Sequence, residues 1–209
     1  MLHIALSKGR LAKKALGLLE KCGVDTTFVD MDSRKLIFED EKQQLSIILV
    51  KPSDVPTYVE RGVSDIGVVG KDTLMEQSKL LYEMLDLGFG ACKLCIAGPV
   101  NKPQSAITNA NLRVATKYPN VARSFYSSRG QSIDIIKMNG SVELGPLVGL
   151  SDVILDIVES GATLRENGLA VQEEICDSSA RLVVNKVSLK TKAERITPLL
   201  EMIRKALEA

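Results

Sequence analysis

The residues best suited to chemistry lie in one stretch, Val153 to Leu169, reading VILDIVESGATLRENGL. An apolar run, Val153-Ile154-Leu155, carries a single acid, Asp156, before Ile157-Val158. A short turn follows, Glu159-Ser160-Gly161-Ala162-Thr163, and then Leu164-Arg165-Glu166-Asn167, which can start a helix. Buried strand, small-residue turn and helix start form an arrangement that cradles a phosphate. The glycine lets the backbone approach the anion, the hydroxyls donate, and the helix N-terminus adds partial positive charge. Asp156, just before the turn, is placed to act on whatever the phosphate is attached to. An ordinary strand-turn-helix connection with Ser160 or Thr163 as N-cap uses the same residue types.

Other segments share this chemistry. Leu2-His3-Ile4-Ala5-Leu6 reads as a strand, followed by Ser7-Lys8-Gly9-Arg10 and an amphipathic run from Leu11 to Glu20. Two cations around a glycine at a strand-to-helix turn again suit phosphate. Lys51 opens the segment KPSDVP, and Asp65, Lys71 and Asp72 lie in DIGVVGKD. Each of these is equally at home as a surface cation or a capping acid. Lys117-Tyr118 follows an apolar strand and offers a cation and a ring; a plain loop before Pro119 reads the same. No Ser/His or Cys/His nucleophile constellation is present, and His3, the single histidine, reads as structural.

The elements that must position these residues alternate between strand and helix, which predicts an α/β fold with a largely parallel sheet. Strands are expected at 2–6, 45–50, 66–69, 93–97, 112–116, 133–138, 153–157, 170–175 and 181–186. Helices are expected at 11–21, 55–61, 72–77 and 121–128, with a C-terminal one ending near Leu207. In that last helix Ile196, Leu199, Leu200, Ile203 and Leu207 recur at helical spacing. Thr191 with Glu194 reads as a capping box, and Pro198 is expected to kink the helix or mark a second start capped by Thr197. Breaks in pattern fall at 86–90 and 98–111.

Composition excludes several classes of function. With 27 basic and 26 acidic residues among 209, the chain lacks the basic excess of a nucleic-acid or membrane-surface binder. No apolar run approaches the roughly 18 residues a membrane span needs, and the N-terminus does not read as a secretory signal, so a cytoplasmic location is expected. Cys92-Lys93-Leu94-Cys95 matches a C-x-x-C pattern, but it lies in an apolar run reading as a strand. A low-pKa redox pair wants a helix N-terminus, and zinc wants further ligands. The four cysteines therefore read as buried thiols, without a disulfide framework.

Four motifs occur in order: the opening KGR, then DIGVVGKD, DLGFGACKL and DIVESGATL. Together they make the chain resemble the short-form catalytic chain of the ATP phosphoribosyltransferase family, over residues 2 to 169. The resemblance implies a two-lobed fold like type II periplasmic binding proteins, with a central cleft. Lobe one would hold residues 1–90 and 176–209, lobe two 91–175. The implied reaction joins N1 of ATP's adenine to C1 of phosphoribosyl pyrophosphate and releases pyrophosphate, the first step of histidine biosynthesis, with Mg²⁺ accompanying the pyrophosphate. Adenine N1 has a free lone pair, so positioning and electrostatics should dominate over base catalysis.

By the same resemblance, Glu159, Ser160, Gly161, Ala162, Thr163 and Leu164 bind the 5-phosphate, and Asp156 sits by the ribose hydroxyls. Lys8, Gly9, Arg10, Lys51, Asp65, Lys71, Lys117 and Tyr118 are candidates for ATP. Glu143, in SVELG, is the candidate to hold the exocyclic amine, which becomes more acidic once N1 is alkylated. The short length implies a separate regulatory partner related to histidyl-tRNA synthetase in a mixed oligomer. The competing expectation is a non-catalytic two-lobed binding module, since a fold does not settle a function. A salvage-type phosphoribosyltransferase shares the loop but usually shows two adjacent acids before it, whereas Asp156 stands alone.

Overall fold

A computed structural model describes residues 1–101 and 112–208. The chain divides into two compact units, Met1–Gly90 with Ser179–Ala209, and Ala91–Ser178. Its first part runs β1 (Leu2–Ser7), α1 (Arg10–Lys21), β2 (Ile37–Asp40), β3 (Leu45–Val50), α2 (Val55–Glu60), β4 (Ile66–Gly70), α3 (Lys71–Gln77) and β5 (Tyr82–Asp86). The second unit holds β6 (Cys92–Pro99), β7 (Leu112–Thr116), α4 (Pro119–Ser127), β8 (Ile133–Lys137), α5 (Leu144–Leu147), β9 (Val153–Val158), α6 (Ala162–Glu166) and β10 (Leu169–Ser178). The chain then returns to the first unit with β11 (Ala180–Val184), α7 (Ser188–Thr191) and α8 (Ala193–Glu208). This return follows Ser178 instead of residue 175, because β10 continues to pair with β6 as far as Ser178. Of the break expected at 98–111, Gly98 and Pro99 belong to β6, and residues 102–111 lie outside the described residues.

Each unit is built on one sheet, ordered β2-β3-β1-β4-β11-β5 in the first and β10-β6-β9-β7-β8 in the second. The expectation of a largely parallel sheet needs correction. Parallel pairing is confined to β3-β1-β4 and β9-β7-β8, and the flanking strands run antiparallel. Helical crossovers between like-directed strands build the parallel centres. The strands that carry the chain into and out of each unit add on in the opposite sense.

In the first unit Leu2, Ile4 and Leu6 of β1 point to one face, where Ala12, Ala15, Leu16 and Leu19 of α1 and Ile196, Leu199, Leu200 and Ile203 of α8 cover them. Ala5, between them, faces Val55 and Val59 of α2. Strand period two and helix period 3.6 thus lay apolar stripes against each other, and each buried Leu or Ile contributes about 1.5–3 kcal/mol. The unexpected strands β2 and β5 both lie at edges of this sheet. In β2 only Phe38 is buried and in β5 no residue is, so little apolar alternation marks them.

Helix α8 runs unbroken from Ala193 to Glu208 through Pro198, where a kink or a second start was expected. The proline removes one backbone donor, but four buried side chains on its inner face hold the helix in place. The expected capping box is also absent: the Thr191 hydroxyl donates to the Val187 carbonyl at 3.2 Å. Asn185 instead caps α7, its Oδ1 accepting from the amides of Val187 and Ser188 at 2.9 Å each. No helix among the described residues is long and apolar enough to cross a membrane.

Candidate functional site

In the second unit, β9 delivers Asp156 and leads into the glycine turn. Gly161 takes the left-handed conformation, φ 70°, at the N-cap position of α6, where it has no side chain to bond the opening amides. The Ser160 hydroxyl accepts from the Ala162 amide at 3.4 Å, and Arg165 donates to the Ser160 carbonyl at 3.0 Å. Ser160 and Thr163 are therefore not N-caps. Glu159, Ser160, Ala162 and Thr163 are exposed, while Leu164, at 5 % exposure, anchors the turn in the core beside Ile154. Of the opening amides of α6, that of Ala162 is held by the Ser160 hydroxyl over a long 3.4 Å, while those of Thr163 and Leu164 have no acceptor within the helix and can meet an anion. Half-buried Asp156 accepts from the Ile157 amide at 2.8 Å and lies opposite Cys95 of β6.

Parallel pairing decides what gathers around this turn. Thr116 of β7 is in register with Leu155 of β9 and with Lys137 of β8. Lys117, the Asp156 turn and the segment leading to Glu143 consequently all leave one edge of the sheet, at the carboxyl ends where α/β proteins bind ligands. Glu143, half-buried at the N-cap position of α5, makes no side-chain hydrogen bond or ion pair among the described residues. Gly145 allows α5 to approach β7, since a Cβ there would lie 2.6 Å from the Ser151 hydroxyl and 3.0 Å from Ala115 Cβ.

Tyr118 departs from expectation. It is 4 % exposed, at the N-cap position of α4, so its ring is used in packing and is not offered to a base. Lys117 beside it is exposed.

The first unit repeats the pattern with cations. Lys8, Lys51 and Lys71 directly follow β1, β3 and β4, three adjacent parallel strands. The Lys8 amide donates to the Val50 carbonyl at 2.9 Å, tying two of these turns together. Gly9, with φ 122°, must be glycine for its backbone alone, because nothing lies within 4 Å of where a Cβ would be. Lys8, Gly9, Arg10 and Lys51 are exposed. Lys71 is engaged by Glu83, Nζ to Oε2 at 2.6 Å, and Arg181 links the same glutamate to Asp86.

Asp65 does not belong with them. It precedes β4, so it sits at the opposite end of a five-residue strand, roughly 15 Å away. Its carboxylate accepts from the Ser188 hydroxyl at 2.6 Å, the His3 amide at 2.8 Å and the Lys192 ammonium at 2.8 Å. Burial opposes its ionisation, but these three donors outweigh burial and hold the carboxyl below its ordinary value. It is a structural ion pair, and a ligand role is withdrawn. The acid at the ligand end is Asp72, whose carboxylate folds back over Gly70: a Cβ on Gly70 would lie 2.1 Å from its Oδ1. Position after the strand, as opposed to before it, was the signal that separates these two acids.

The cysteines are all free. Burial raises the Cys95 thiol above its ordinary value, with Glu174 and neighbouring thiols adding to the effect, so it is a poor thiolate. Among the described residues no group of three or more His, Cys, Asp or Glu is gathered to hold a metal.

Glycine- and cation-bearing turns at the carboxyl ends of parallel strands, on two separate α/β units, are of the kind that suits phosphorylated small molecules. The fold matches the periplasmic aliphatic sulphonate binding protein SsuA of Escherichia coli, with TM-score 0.61 and 14% identity over 99% of this chain and 72% of that one. At that identity the likeness concerns the fold alone. Sequence relationships go further. The ATP phosphoribosyltransferase family model matches residues 51–205, and the chain belongs to that family. It is 55% identical to the ATP phosphoribosyltransferase of Caldanaerobacter subterraneus subsp. tengcongensis, over 99% of this chain and 98% of that protein. The ATP phosphoribosyl transferase (HisG:HisZ) complex from Thermotoga maritima superposes with TM-score 0.88 and 38% identity, covering 100% of this chain and 99% of that one.

Proposed function

We propose that the chain transfers the 5-phosphoribosyl group of phosphoribosyl pyrophosphate to N1 of ATP's adenine, giving phosphoribosyl-ATP and pyrophosphate, the first step of histidine biosynthesis. The observation that carries this reading is the common exit of Asp156, the Gly161 turn, Lys117 and the Glu143 segment from one sheet edge, in a chain of this family. Residues 159–164 hold the 5-phosphate through backbone amides and the Ser160 and Thr163 hydroxyls. Asp156 accepts from the ribose hydroxyls and stabilises positive charge growing on the ring as pyrophosphate departs. Glu143 holds the adenine amine and takes the proton that alkylation at N1 makes acidic. Lys8, Gly9, Arg10 and Lys51 serve the phosphates of ATP; Lys71 joins them by exchanging Glu83 for a phosphate, and Lys117 adds charge beside the sugar.

Mg²⁺ carried by phosphoribosyl pyrophosphate would supply charge neutralisation of the leaving pyrophosphate, a role that asks few ligands of the protein. Both substrates are intracellular metabolites, which supports a cytoplasmic location. The Thermotoga complex, which pairs a HisG chain with HisZ, supports a HisZ-like partner in a hetero-oligomer for this chain too; that partner would be the histidyl-tRNA-synthetase-like regulatory subunit that the family resemblance implies. Release of pyrophosphate from phosphoribosyl pyrophosphate, compared with ATP, with free adenine and with neither, tests the reading. Release with ATP alone is the expected result. Release with free adenine would make the chain a salvage enzyme, and no release with either acceptor would leave only a binding module.

A further inference from the structure

The three loops that leave the second sheet together are tied at one residue, two of them through its side chain. Thr116, the last residue of β7, is fully buried at 0 % exposure. Its hydroxyl donates to the Leu155 carbonyl at 2.6 Å and accepts from the Tyr118 amide at 2.8 Å. Its own carbonyl accepts from the Met138 amide at 2.9 Å. Each partner stands next to, or leads into, a residue of the proposed site. Leu155 is bonded to Asp156, Tyr118 to Lys117, and Met138 opens the segment that ends at Glu143.

Valine would fill the same volume and favour the same strand, so neither packing nor β-propensity calls for the hydroxyl. What valine cannot do is bond two backbones at once. Full burial also keeps Thr116 from touching a substrate. We propose that Thr116 is a positioning residue for the transfer reaction, its hydroxyl fixing the spacing between the Asp156 turn and Lys117. This rests on the function proposed above. Chemistry that depends on placement is sensitive here, since misplacing a group by about 1 Å can cost on the order of 100-fold in rate.

The test compares Thr116→Val, which keeps the shape, with Thr116→Ser, which keeps the hydroxyl, on the chain assembled with its partner subunit. At a temperature well below either variant's melting point, the Val variant should lose roughly 10- to 100-fold in kcat. Its KM for ATP should stay within about twofold, and the Ser variant should keep at least about half the activity. Should the Val variant not fold, Thr116→Ala removes the same hydroxyl without demanding space and enters the same comparison. Hydrogen exchange at the Tyr118 amide should quicken with Val or Ala and not with Ser. Faster exchange with unchanged kcat would overturn the positioning role, as would equal activity loss in the Val and Ser variants. An unsubstituted enzyme that releases no pyrophosphate with ATP would overturn the reaction assignment and the role together, while exchange would still report whether the tie exists.

Discussion

At the scale of single residues, Gly161 and Thr163 separate a phosphate cradle from an ordinary turn. Gly161 has φ 70°, where a β-branched residue is strained by about 1–3 kcal/mol, and its nearest neighbour is the flexible end of Arg165 at 3.1 Å. Gly161→Val should therefore leave a folded protein whose turn amides are redirected away from the anion. Thr163 is exposed, so Thr163→Ala removes only a donor. A hydrogen bond to a charged group contributes roughly 1.5–3 kcal/mol, so affinity for phosphoribosyl pyrophosphate should fall about 10- to 100-fold by calorimetric titration. ATP affinity should change much less. Asp156→Asn keeps the shape and removes the charge that stabilises a cationic ribose. It should lower turnover more than binding, because that interaction strengthens as the transition state forms. Steady-state kinetics with unchanged turnover would return Asp156 to a strand-end role.

Elements are tied to one another by Asp65, which joins β4 to the start of β1 and to α7 and the residue leading into α8. Its native carboxyl is held below the ordinary value, so the unfolded chain takes up the proton first as acid is added. The stabilisation is complete above the unfolded carboxylate value, about pH 4, and is lost as pH falls through the lowered native value. Asp65→Asn should cost about 1.5–2 kcal/mol at pH 7, the lower part of the range for charged hydrogen bonds because Lys192 keeps access to water. The deficit should shrink below pH 4, where denaturant melts of the two proteins should converge. Catalysis by the folded variant should be unchanged, since Asp65 lies at the far end of its strand from the lysines.

For the whole molecule the question is control. A pathway's first enzyme is where end-product inhibition is useful, and coupling of about 1–3 kcal/mol between distant sites gives 5- to 150-fold regulation. If the regulatory site belongs to a histidyl-tRNA-synthetase-like partner, the chain alone should turn over slowly and ignore histidine. Adding the partner should raise kcat and confer inhibition together. Full, histidine-sensitive turnover by the purified chain would refute this.

Local chemistry made much of this protein legible before any coordinates. Period-two runs such as Leu2-Ile4-Leu6 and the Ile196-Leu199-Leu200-Ile203 stripe announce a strand and a helix, because burial of one face is a local requirement. The order of four motifs was enough to reach the family, and Gly9 and Gly161 both take the positive φ that only glycine readily supplies. Other features depended on tertiary structure. The edge strands β2 and β5 carry little apolar pattern of their own and exist because a neighbour offers its backbone. Asp65 and Lys71 belong to one motif, yet the strand between them sends them to opposite ends of the sheet. Tyr118 looks like a ligand ring until packing covers it, and Thr116 looks like an ordinary strand residue until its hydroxyl finds Leu155 and Tyr118. Which residues are needed is written locally, but which of them meet is decided by strand order and register, through contacts between residues far apart in the chain.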